Sequence, residues 1–120
     1  MIKIVALIKR KPGMTFEEFK TYYETTHAKL GEEYLPPYCA KYLRRYLEPV
    51  GHHTGGPAPE SEHDCLVEMW FADEAQLKAF RASVSAPAIV ERIKADEDRF
   101  LDHGKTRRYV VDEHLSWGPA

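Results

Sequence analysis

His27 stands one helical turn after Tyr23 in the segment FEEFKTYYETTHAKL, where the other residues of that phase are apolar. An imidazole on an inward face, where a plain core would carry leucine, can take or give a proton near neutral pH. A phenol one turn away can hydrogen-bond a substrate oxygen or orient the ring. The same pair also suits a packed core in which the histidine bonds a backbone carbonyl, so spacing leaves both readings open. The chain adds more rings in Tyr22, Tyr38, Tyr42, Tyr46, Trp70 and Phe71. Such rings either pack or stack on a flat aromatic ligand while their hydroxyls bond its oxygens. Strand parity and helical phase aim Tyr23, Tyr46 and Trp70 inward, and Tyr22 adds a neighbouring phenol. Arg44 and Arg45 point to opposite faces of one strand. Whichever reaches a pocket could hold a substrate carboxylate bidentately, the alternative being a pair with a carboxylate such as Glu48 or Glu68.

Other chemistries lack their residues. There is no glycine-rich phosphate cradle, no nucleophile elbow and no CxxC. Cys39 and Cys65, the two cysteines, are too few for a disulfide framework and too widely spaced for a zinc ribbon, so they read as reduced packing thiols of a cytoplasmic protein. His52, His53 and His63 lie on a Gly- and Pro-rich loop with no carboxylate at facial-triad spacing, and no metal is expected. Seventeen basic against 19 acidic residues leave a net charge of -2, which gives no field to draw nucleic acid or anionic lipid. The apolar run Ile4 to Ile8 has no cleavage site after it, and no stretch approaches the roughly 20 apolar residues of a membrane span.

A chain of 120 residues, 43% of them hydrophobic, suffices for one compact domain over 1–120. Ile2 to Lys9 is β-branched and apolar at both parities, a strand that wants both faces covered. Thr15 with Glu18 forms a capping box that opens a helix over 16–30, stopped by Gly31. A second strand runs from Tyr38 or Lys41 to Glu48, and a third from His63 to Phe71. Between them 49–63 reads as a mobile loop whose part 50–62 could close over a pocket. Asp73 with Gln76 caps a helix to Ser83, Pro87 starts another through Phe100, and the last strand is Thr106 to Glu113. The basic clusters Lys9 to Lys11 and Arg107-Arg108 fall at strand ends, where charge is ordinarily solvated. The order β-α-β-β-α-β predicts an α+β, ferredoxin-like fold with a four-stranded antiparallel sheet. Helices then cover one sheet face only. The chain has no element left for the other, so a homodimer through sheet faces is expected.

The blocks LIKRKPGMTFEEFKTYYETTHAKL (7–30), RRY (44–46), VEMWF (67–71), DEDRFLD and VVDEHLS together resemble the EthD-like members of the dimeric α+β barrel superfamily. This resemblance implies a dimer with face-to-face sheets and a small pocket in each subunit between sheet and helices. His114 matches the family ending and would reach the pocket mouth, or else stand solvated at a strand end. The implied function is that of a lyase, a decarboxylase or dehydratase of a hydroxylated aromatic or polyketide-derived substrate. His27 would be its general acid/base, Tyr23 and His114 would assist, and Tyr46, Trp70, Arg44 and Tyr22 would bind substrate, with no cofactor. A cofactor-free oxygenase and a non-catalytic small-molecule-binding accessory protein are the alternatives. Fold alone does not choose among them.

Overall fold

The computed structural model describes residues 1–119. Four strands, β1 (Ile2–Ile8), β2 (Lys41–Tyr46), β3 (Cys65–Phe71) and β4 (Arg107–Val110), pair antiparallel in the spatial order β2-β3-β1-β4. This is the expected four-stranded ferredoxin-like sheet, with shorter strands: β2 ends at Tyr46, β3 starts at Cys65 and β4 ends at Val110.

Side chains alternate across a strand, so the register sorts the sheet into two faces. Ala6 pairs with Val67 and Arg108, Val67 pairs with Arg44, and Cys65 pairs with both Ile8 and Tyr46. That row forms the inner face, where Ile4, Ala6, Ile8, Cys65, Val67 and Phe71 are all buried. On the outer face Val5, Leu7, Leu43, Leu66 and Trp70 are only half-buried and Tyr109 is 51% exposed.

The inner face is covered by helices. Thr15 caps the first of them: its hydroxyl accepts the Glu18 N–H at 3.1 Å, and the Glu18 carboxylate accepts the Thr15 N–H at 3.1 Å, the predicted reciprocal box. What spacing predicts as a single α-helix is three segments in series, namely α1 (Phe16–Tyr22), a π-helical turn Tyr23–His27 and α2 (Ala28–Tyr34). Gly31 does not stop this helix. A Cβ at Gly31 would stand 2.7 Å from the Tyr42 ring, so the glycine allows β2 to lay an aromatic ring against the helix backbone.

α3 (Glu74–Ser83) begins at Asp73, whose carboxylate accepts the Gln76 N–H at 2.9 Å, and α4 (Pro87–Glu97) carries proline in its first turn. α4 ends short of Phe100. That ring, fully buried, is reached from the following turn and stacks on Phe19 at 5.7 Å.

The 49–64 segment forms no regular element, but its end is tied down. Lys9, expected in solvent, is buried: its Nζ donates to Ser61 O at 2.8 Å and lies 3.7 Å from Asp64, which also accepts the Arg10 N–H at 2.9 Å. A buried ammonium needs such partners, and the returning loop supplies them.

Candidate functional site

Between the inner sheet face and the helices lies a cavity of about 220 Å³. Val67 and Met69 form its floor, with Ile93 and Phe80 among its walls; His27, Tyr23 and Tyr42 bring polar atoms into it, and Glu97 and Arg108 stand at its rim. None of the residues from 49 to 64 lines it. The expected lid loop borders other grooves, beside Lys9.

His27 ends the π-helical turn. Such turns widen a helix by one residue and recur at functional sites. The Nδ1 atom lies 2.7 Å from Asp96 Oδ2, and the other oxygen of that carboxylate accepts the Tyr22 hydroxyl at 2.5 Å. An ionised carboxylate can only accept, so Nδ1 carries the proton and Nε2 is left to whatever occupies the cavity. The imidazole packs between Tyr23 and Phe100, with ring centroids 5.3 and 4.9 Å away. Histidine and aspartate are both largely shielded, their side chains 15% and 12% exposed.

Tyr23 and Tyr42 form the second polar feature. Their hydroxyls lie 3.2 Å apart. Burial pushes the pKa of both phenols upward, strongly for Tyr23, so each stays neutral with a proton to donate. One hydroxyl donates to the other, leaving one O–H free for a ligand oxygen.

A third cluster lies alongside. Arg44 holds Glu24 through two bonds of 2.7 Å, and the Tyr46 hydroxyl donates to the same carboxylate at 2.5 Å. The Arg44 hydrogen bonds, opposed by burial and aided by Tyr46, pull the Glu24 carboxyl down to about 2.

Of the residues singled out from sequence, His27 and Tyr23 line the cavity together. Arg44 and Tyr46 share the inner face but are spent on Glu24. Tyr22 reaches Asp96 rather than the cavity. Trp70 is on the outer face, with Lys3 Nζ at 3.8 Å and Lys41 Nζ at 4.4 Å from its ring and its indole N–H donating to Glu68. Its register partner Lys41 marks that parity. Arg45 shares that face and pairs with Glu68 at 2.6 Å, so Arg44 is the one on the inner face, although neither arginine lines the cavity. His114 is exposed beyond β4 beside Asp112, away from the cavity. Asp96 is not legible from sequence, because it is one of several acids in the run ADED; Arg108 is exposed, as its place at a strand end implies, but it also lines the cavity.

Among the described residues no group of three or more His, Cys, Asp or Glu side chains could hold a metal ion, and no helix is long and apolar enough to cross a membrane. His52 and His53 stack on each other at 4.9 Å, while His63 bonds Lys105 O. Burial raises the Cys65 thiol to about 12 and also raises Cys39, so neither is a ready thiolate.

An EthD domain model matches residues 11–104. The chain is similar to the crystal structure of an EthD family protein from Bacillus halodurans, with 23% identity, TM-score 0.63, and coverage of 95% of this chain and 99% of that one. An Arabidopsis thaliana protein matches at 14% identity and TM-score 0.61, over 98% and 99% of the two chains. A Bacteroides fragilis protein, described as dimeric with a ferredoxin-like fold, matches at 15% identity and TM-score 0.52, over 95% of each chain. At such identities these likenesses bear on the fold. No curated protein matches the sequence.

Proposed function

We infer that this chain, which belongs to the EthD family, is a cofactor-independent lyase that removes carbon dioxide or water from a hydroxylated aromatic or polyketide-derived acid. The observation that carries the reading is His27. One of its ring nitrogens is fixed by a shielded carboxylate, while the ring borders an apolar cavity that also holds the hydrogen-bonded phenols of Tyr23 and Tyr42. A phenol or β-keto group in the substrate is its own electron sink. The protein then needs only to place a proton donor and acceptor, bond the oxygen that gains charge, and keep water out. His27 Nε2 moves the proton, and the Tyr23–Tyr42 pair receives the oxygen. The size fits: a cavity of about 150 Å³ accepts benzene, so about 220 Å³ holds one substituted ring or a small bicycle.

The test is turnover of hydroxyaryl and β-keto acids by purified protein, followed by release of carbon dioxide or water. His27→Ala should lower the rate by about 100-fold or more, the range of a positioned acid/base. Full turnover in that variant overturns the assignment. Oxygen consumption would instead point to an oxygenase using the same histidine, and tight ligand binding without turnover to a binding protein.

The half-buried outer face, with Leu7, Leu43 and Leu66, fits a second copy of this chain, and a neighbour of the same fold is described as dimeric. Covering such a face is the simplest way to finish a one-sided core. Light scattering should give twice the chain mass at micromolar concentration; a stable monomer contradicts the dimer.

A further inference from the structure

We propose that Arg108, with Glu97 as its resting partner, is the carboxylate anchor of the cavity and makes an aromatic acid, rather than a neutral phenol, the preferred ligand. The inference rests on the His27 cavity being a ligand site. Arg108 pairs in register with Ala6 on the inner sheet face, and both residues line that cavity. Opposite an alanine, a long guanidinium side chain has room to swing over the floor.

Its state differs from that of the other inner-face arginine. Arg44 makes two 2.7 Å bonds to Glu24 and is 19% exposed, so a ligand would have to break a satisfied fork to use it. Arg108 is 69% exposed, and its nearest carboxylate oxygen, on Glu97, is 3.6 Å away, beyond hydrogen-bond length. Glu97 itself is only 17% exposed. The guanidinium is therefore held near the rim by charge attraction without its donors being used. A ligand carboxylate can take the planar two-point geometry that Glu97 leaves open.

Placement also matters. The cavity is apolar below, with Val67 and Met69, and its uncharged donors include the phenols of Tyr23, Tyr34 and Tyr42. An acid bound carboxylate-outward would keep its charge at the half-wet rim while its ring sits against His27. That orientation avoids burying an anion in an apolar pocket.

Calorimetric titration with 2,4-dihydroxybenzoate and resorcinol, the same ring with and without the acid, tests this in wild-type protein and three variants. Wild type should bind the acid about tenfold more tightly than resorcinol, the scale of one charge-assisted contact at a half-exposed site. Arg108→Gln should erase that preference while leaving resorcinol unchanged, and Arg108→Lys should keep part of it. Glu97→Gln, which removes the competing carboxylate, should tighten the acid several-fold. Equal binding of both probes by wild type, or equal loss of both in Arg108→Gln, overturns the anchor and leaves the cavity as a ligand site. Failure of wild type to bind either probe removes the cavity reading, and the anchor with it.

Discussion

Two clusters flank the π-helical turn and share one plan: a phenol donates to a carboxylate, and the carboxylate holds a nitrogen base. In one, Tyr46 and Glu24 hold Arg44; in the other, Tyr22 and Asp96 hold His27. The phenol-to-carboxylate distance is 2.5 Å in both, and the carboxylate-to-nitrogen distance is 2.7 Å in both. The difference is the base. A guanidinium keeps its charge at any biological pH, so its cluster is a clasp that fastens β2 to the helix above it. An imidazole can give up a proton through the nitrogen the carboxylate leaves alone, so the same arrangement becomes a seat for proton transfer. What surrounds the base matters as well: His27 borders a cavity, whereas Arg44 lies over the Tyr23 and Tyr42 rings.

If that contrast is right, matched substitutions in the two clusters separate activity from stability. The largest effect is expected from Asp96→Asn, whose amide can donate to Nδ1 and so favours the wrong tautomer. The rate constant kcat should fall about 100-fold, with KM and melting temperature near wild type and with partial rescue in Asp96→Glu. A drop in stability with kcat intact would make the His27 cluster a second clasp. Next comes Glu24→Gln, which strands a largely shielded guanidinium. Because Glu24 is 39% exposed, the cost is discounted to about 1–2 kcal/mol, or roughly 4–8 °C in Tm, with turnover per folded molecule within a few-fold of wild type.

The same carboxylate predicts a pH response. Its value is lowered from 4.5 to about 2, so the stability it contributes is present above about pH 4.5 and is lost as pH falls toward 2. Wild type should therefore show a steeper loss of melting temperature over that window than Glu24→Gln. The smallest change in stability is expected from Gly31→Ala. A new Cβ at 2.7 Å displaces the Tyr42 ring, while alanine favours the helix by up to about 1 kcal/mol, so the two nearly cancel. Ligand affinity should fall several-fold because the Tyr23–Tyr42 pair opens. An unchanged affinity would remove Tyr42 from the cavity's working donors.

Much of this was legible beforehand because it is local. The Thr15–Glu18 box, the Asp73 cap and Pro87 at the start of α4 are written within three or four residues of sequence. Element order then implied the sheet and its single layer of helices. His27 was visible because a titratable ring stands where helical phase demands an apolar one. The π-helical turn was not visible, since the residues that widen it, Tyr23 to His27, read as ordinary α-helix. Gly31 looks like a helix stop for a related reason: its purpose is a ring on another strand, and nothing beside it in sequence says so.

Sequence by itself determined the antiparallel four-stranded layer and the histidine on an inward helical face, because periodicity and capping act over short separations, and its motif blocks carried the family resemblance. Tertiary structure alone decided which charges are spent and which are free. Asp96 is 69 residues from His27, and Glu24 is 20 from Arg44. Parity could say that Arg44 and Arg45 diverge, but only the strand register set which one faces the helices and placed Trp70 on the outer face. Pairing depends on distances of a few ångströms between side chains that the chain order keeps apart, so the chemical state of the site emerged only when the sheet and helices were assembled.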